Sequence, residues 1–165
     1  MKQTEMKIHF GAKTLSASLA VCVAIVLSDV TAVAEEKPSV VTTINGETLP
    51  GQLLPLQDVS TMIDTIDANG NRLVVTKGIR KAGTRVGIHV HKHGGHTCVL
   101  SGEITGFMEG AKPHKWPAGT CYYMPPNTAM AAANLGEEDA TLIDTFSLPP
   151  GEPTITILEP DYPPT

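Results

Sequence analysis

From residue 62 to residue 158 the chain is a succession of short apolar runs, cut at close intervals by glycine, proline and asparagine, with no sustained helical period between caps. Residues 62–66 (MIDTI), the segment 67–71 with its Asn69-Gly70 pair, and residues 72–79 (RLVVTKGI) read as strand, tight turn and strand. An Asn-Gly pair between alternating runs is the strongest short hairpin signal, because both turn positions need a positive φ. Further strands are expected at residues 85–91, 97–101, 103–108, 120–124, 128–134, 140–146 and 154–158, with a loop around Pro113, His114 and Trp116. Eight or nine short strands at this spacing predict an all-β sandwich or barrel. At 165 residues, one domain with a proper core is the default.

Composition narrows the function. Aromatic residues make up 4% of the chain and the net charge is -5, which argues against stacking platforms and basic surfaces for nucleic acid.

The first 34 residues have their own character. Lys2, Lys7 and Lys13 precede an uncharged run over residues 14–28, followed by Ala32-Val33-Ala34 and then two glutamates. A positive start, a short apolar middle and a small-x-small end is the pattern of a secretory signal peptide, here residues 1–34. The run is shorter than the roughly 20 residues that span a bilayer. The expectation is therefore a periplasmic or secreted protein without a membrane anchor after cleavage. Cys22 would leave with the leader, and Cys98 and Cys121 would remain in a compartment that permits disulfides. Residues 35–61 are polar and interrupted by Pro38, Pro50 and Pro55, and read as an arm with one short strand at residues 40–44. Residues 62–147 read as the strand-rich body of the domain, and residues 148–165 as a proline-rich tail with one edge strand.

Four of the six histidines fall within eight positions, in the segment GTRVGIHVHKHGGHTCVLSG. In an extended strand His89 and His91 face the same side, and two imidazoles on one rigid strand make half of a transition-metal site. Gly94 and Gly95 allow a sharp turn that brings His96 round as a third ligand. The same run also fits histidines that sit on the surface and bind metal only adventitiously. His93 lies in the turn and reads as a surface residue, and His114 as a loop residue.

Two spaced motifs resemble those of the cupins, a family of small jelly-roll barrels that hold a metal ion in the barrel mouth. Gly83, His89, His91 and Gly102 match the first cupin motif, and Gly119, Pro125 and Asn134 match the second, with Asn127 where the family has glycine. Asparagine is the residue next best suited to a positive φ. The resemblance covers about residues 62–147 and implies a cupin-type jelly-roll β-barrel.

The departures bear on function. Counting back from Gly102 places Gly95 at the family's metal-binding glutamate, while counting forward from His91 places His96 there, so a third ligand from the first motif is His96. Met130 stands at the ligand histidine of the second motif, either as a thioether ligand or as a core filler. The implied ligands are His89, His91, His96 and Met130. Without a carboxylate, this set favours copper or zinc, with iron less well served. The resemblance also puts Cys98 and Cys121 on neighbouring strands, within reach of a disulfide, the alternatives being two buried thiols or Cys98 as a soft ligand. A homodimer is implied in the same way.

Three functional readings stand side by side. The first is an exported metal-binding cupin that binds or transforms a small molecule, as an oxygenase or isomerase. The second is a non-catalytic holder of a metal or ligand, and the third a metal-free structural module. General acid-base work would fall to an unligated histidine or to Tyr122 or Tyr123, since no carboxylate occupies a motif ligand position.

Overall fold

The computed structural model describes residues 40–164. The expected signal peptide, residues 1–34 with Cys22, lies outside the described residues. Among the described residues there are twelve strands and no helix: β1 Gln52–Leu53, β2 Gln57–Ile66, β3 Arg72–Arg80, β4 Thr84–Arg85, β5 His89–Val90, β6 Gly95–Ser101, β7 Glu103–Met108, β8 His114–Pro117, β9 Cys121–Met124, β10 Met130–Asn134, β11 Ala140–Leu148 and β12 Thr156–Ile157. They build two sheets. One runs β2-β3-β11-β6-β9. The other runs β1-β4-β10-β5-β12, with β7 on the far edge of β10 and β8 on β7. The inner faces carry the side chains that the alternation predicts: Val74 on β3, Leu142, Phe146 and Leu148 on β11, Val99 on β6 and Met130 on β10 are all buried.

The hairpin over residues 62–79 forms as expected, with Asp67 Oδ1 accepting from the amides of Asn69 and Asn71 and Gly70 at φ 83°. Strand β2 begins earlier than the hydrophobic pattern suggests, taking in residues 57–61 of the expected arm. It is an edge strand exposed along nearly its whole length, so burial imposes no apolar pattern on it, and two irregularities shift its pairing with β3. Residues 40–44 form no strand; Ile44 makes only an isolated bridge to Glu47 across Asn45-Gly46.

Two other expectations are corrected. The single strand anticipated at residues 85–91 is two short strands, β4 and β5, both paired with β10. Between them the Ile88 amide donates to Glu159 Oε2, and the Ile88 carbonyl accepts from the amides of Leu158 and Glu159, so the C-terminal tail takes the bonds a continuous ladder would use. The loop anticipated around His114 is strand β8, paired with β7 through Ile104 and Trp116. The Trp116 ring stacks on Tyr122 at 5.4 Å, and this packing outweighs the flanking prolines.

Cys98 and Cys121 face each other across β6 and β9 and are joined by a disulfide. The alternatives of two thiols and of Cys98 as a ligand thereby fall away. Strand β12 sits at the end of its sheet and pairs only with β5, which brings the tail across the strand carrying His89.

Candidate functional site

A cavity of about 910 Å³ opens between the two sheets, and the C-terminal tail forms part of its wall. Its polar groups come from several strands. His89 and His91 enter from β5 and the residue after it, Thr97 from β6, Tyr122 from β9, Asp144 from β11, and Arg80 from the end of β3.

The two histidines are 4% and 3% exposed, and their rings meet edge to face with centroids 4.7 Å apart. His89 Nδ1 lies 2.8 Å from the Gly87 carbonyl oxygen, and His91 Nδ1 lies 2.6 Å from that of Thr154. A carbonyl only accepts, so both Nδ1 atoms carry the hydrogen and both Nε2 atoms present lone pairs. Those two Nε2 atoms are 3.1 Å apart. Burial, reinforced by the neighbouring His91 and partly opposed by the Gly87 bond, lowers the His89 pKa to about 3. Burial lowers that of His91 as well, against the bond to Thr154. Two lone pairs thus point at each other where a charged imidazole is disfavoured.

His96 does not join them. Gly95 and Thr97 point inward from β6 and are buried, and His96 between them faces outward, exposed, with its ring 5.2 Å from that of Tyr123. The one-residue slip that would turn His96 inward does not occur, because β6 already pairs with β9 from Gly95 onward. At the position where the cupin pattern has glutamate, a Cβ on Gly95 would lie 2.6 Å from Phe146 Cδ1 and 2.9 Å from Met124 Cε. Phe146 occupies that space instead, its ring tilted over His91 at 5.1 Å. Gly95→Ala is therefore expected to destabilise the protein by about 1–3 kcal/mol through overpacking. A shift of the urea midpoint with an unchanged slope would show this, and an unchanged midpoint would refute it.

Met130 pairs with His89 in register but packs among Val74, Met124, Phe146 and Leu148. The thioether on the cavity wall is that of Met124, 3.5 Å from Thr97 Oγ1. Asn127 adopts φ 54°, the conformation for which the cupin pattern uses glycine, and its amide donates to the His91 carbonyl at 2.9 Å. Asn134 is fully buried, and its Nδ2 bonds the carbonyls of Arg80 and Glu138. His93 lies near Glu152 outside the cavity, and His114 is exposed beside Trp116 at 4.4 Å. Among the described residues no three histidine, cysteine or acidic side chains converge on one point.

Sequence reasoning missed Asp144. Thr97 Oγ1 donates to its carboxylate at 2.5 Å; burial raises the Asp144 pKa, with Thr97 and Arg80 pulling the other way. Tyr122 is pushed up as well, chiefly by burial and then by Asp144. The cavity therefore holds two acids that burial keeps protonated beyond their ordinary range. The signal for Asp144 was in the alternation: it sits between Leu142 and Phe146 at spacing two, so an inward-facing strand position carries a carboxylate. Of the two tyrosines proposed for proton transfer, Tyr122 lines the cavity and Tyr123 is 54% exposed outside it.

No protein-family model matches the chain, and neither does any curated protein. Solved structures do match in fold. A cupin-like protein from Thermotoga maritima shares 18% identity at a TM-score of 0.50, covering 61% of this chain and 74% of that one. The DMSP lyase DddQ from Ruegeria pomeroyi shares 18% identity at a TM-score of 0.53, over 72% and 60% of the two chains. Oxalate decarboxylase from Bacillus subtilis, described with Mn(II) centres, shares 14% at a TM-score of 0.53, over 64% of this chain and 29% of that one. This chain thus spans less than two thirds of the last two. At these identities the likeness establishes architecture: the fold is an all-β, cupin-type jelly roll.

Proposed function

We propose that this cupin-fold chain holds a divalent transition-metal ion on His89 and His91 and binds a small molecule beside it in the barrel. The observation that carries the reading is the pair of facing Nε2 lone pairs, buried and 3.1 Å apart. Neutral acceptors at that distance repel unless a cation lies between them. The spacing also suits two adjacent imidazoles on one ion with bonds of about 2.0–2.1 Å. The Gly87 and Thr154 carbonyls supply the outer partners that fix tautomer and ring orientation in such ligands. Two protein ligands leave coordination positions to solvent or to the bound molecule.

A bound divalent ion supplies Lewis-acid polarisation of a ligand oxygen. The chain's own groups do the rest. Asp144 and Tyr122 present a carboxyl and a phenol on the cavity wall, both shifted by burial towards their protonated forms, and Thr97 donates to the Asp144 carboxyl. Phe146, with its ring over His91, and Met124 give the cavity wall an apolar surface beside the histidines. An acid pair beside the histidines favours a catalytic reading over a passive holder, and it meets the need for a proton donor that the motif positions left open.

Elemental analysis of the full chain after equilibration with zinc, copper(II) or iron(II) tests the metal site. About one ion per chain is expected in the wild type and in His96→Ala, and less than about a tenth of that in His89→Ala and in His91→Ala, all folded by circular dichroism. Metal retained in His89→Ala would sink the proposal. Metal lost in His96→Ala would return His96 to the ligand set against its outward position.

A further inference from the structure

Among the described residues Arg80 is the only arginine or lysine lining the cavity, and it makes no ion pair with a carboxylate. It is 4% exposed, and its Nη1 donates to the Leu54 carbonyl. Its Nε is buried with no partner at all. Among the described residues every other arginine is paired with a carboxylate: Arg72 with Asp64 and Arg85 with Glu159. The acid nearest in role is Asp144, but it makes no ion pair with Arg80 and instead accepts from Thr97. The other groups facing Arg80 are two phenols, Tyr162, which is in hydrogen-bonding reach of the guanidinium, and Tyr122, which acts on it only through space. Burying a guanidinium, which stays charged at any ordinary pH, with one nitrogen unpartnered and only the more distant Asp144 carboxyl to offset its charge is unfavourable. A fold that keeps such a group at the wall of a cavity has a use for an anion there.

We infer that the molecule bound in the barrel carries a carboxylate, which Arg80 pairs with while the rest of the molecule extends towards His89 and His91. Arg80 and His89 line the same cavity, and the guanidinium is close enough to oppose a positive charge on that imidazole. The planar fork of arginine suits a carboxylate better than an ammonium would. The ligand's apolar portion meets Val86, Leu142 and Phe146, which leaves Thr76 and Tyr122 to bond its remaining oxygens. This inference rests on the small-molecule reading of the cavity, but not on the metal.

The test is calorimetric titration of the full chain, metal-free and metal-loaded, with acetate, malonate and succinate and with the corresponding neutral amides, at constant ionic strength. At least one carboxylate is expected to bind and its amide not. Losing one partner of a buried charge pair predicts about thirtyfold or more weaker binding in Arg80→Gln, with Arg80→Lys in between. The circular dichroism of these variants should equal that of the wild type, which reports that the barrel is folded, and their metal content should be unchanged. Carboxylates that bind no better than amides, or that bind Arg80→Gln as well as wild type, overturn the inference. Arg80-dependent carboxylate binding by a protein that takes up no metal would leave it standing and remove the metal proposal. A full complement of metal with no carboxylate bound would do the reverse.

Discussion

Replacing Glu159 by alanine is expected to cost about 3–5 kcal/mol of folding stability, the typical penalty for leaving one charge of a buried pair alone. The Arg85 and Glu159 side chains are each 9% exposed, with two bonds between them at 2.5 and 2.7 Å, and Glu159 also accepts from the Ile88 amide at 2.8 Å. Alanine would strand the guanidinium and an amide. The pair ties the tail to the segment between β4 and β5, and the same tail carries the Thr154 carbonyl that orients His91. Losing that outer partner typically weakens metal binding about 10–100-fold. Urea denaturation together with metal titration of Glu159→Ala checks both effects. A stability loss below about 1 kcal/mol would show that the pair is worth no more than a surface ion pair. A double substitution, Arg85→Met with Glu159→Leu, should recover most of the stability, since neither charge then remains buried.

The pair also has a defined pH sense. Burial pushes the Glu159 carboxyl up, but the bonds from Arg85 and Ile88 together prevail and hold it below its ordinary value. A depressed pKa means that the native state releases this proton more readily than the unfolded chain. Its contribution is thus fully present above the ordinary carboxylate range and is lost as pH falls through the folded value. The acid-induced drop in stability should therefore be smaller in Glu159→Gln than in the wild type.

Removing the disulfide is the second large effect. Cys98 and Cys121 are 23 positions apart, and a closed loop of that size implies roughly 3 kcal/mol of stabilisation, drawn from the restricted unfolded chain. The double variant Cys98→Ser/Cys121→Ser should melt about 10 °C or more below the wild type. Metal uptake should be unchanged, because both cysteines lie on the outward side of their strands with His96 and Tyr123, away from the histidine pair. An equal melting temperature would show that the strand ladder between β6 and β9 alone holds this edge. Loss of metal uptake would show that the edge positions the cavity.

Much of the architecture was legible because strand alternation and turn residues are local signals. The hairpin at Asn69-Gly70, strand β7, strand β11 and the positive φ at Asn127 all follow from residues within a few positions of each other. The strands that were missed are those whose signal comes from distant partners. Strand β8 exists because Trp116 packs on Tyr122, and the expected strand over residues 85–91 breaks because Glu159 and Leu158, some seventy residues on, take the bonds of Ile88.

The site divides along the same line. That His89 and His91 share a face follows from the two-residue repeat of an extended chain, and the sequence by itself determined that much, together with the all-β character of the fold. Whether His96 or Gly95 faces inward depends on the register of β6 against β9, a pairing between residues far apart in the chain, and a slip of one residue reverses every side chain. Only the tertiary structure decided it, placing His96 outside and Phe146 against His91. The same holds for Asp144 and Arg80. Their positions in alternating strands are visible in the sequence, but the burial that raises the Asp144 pKa and leaves a guanidinium nitrogen of Arg80 without a partner exists only once the two sheets and the tail have closed around them.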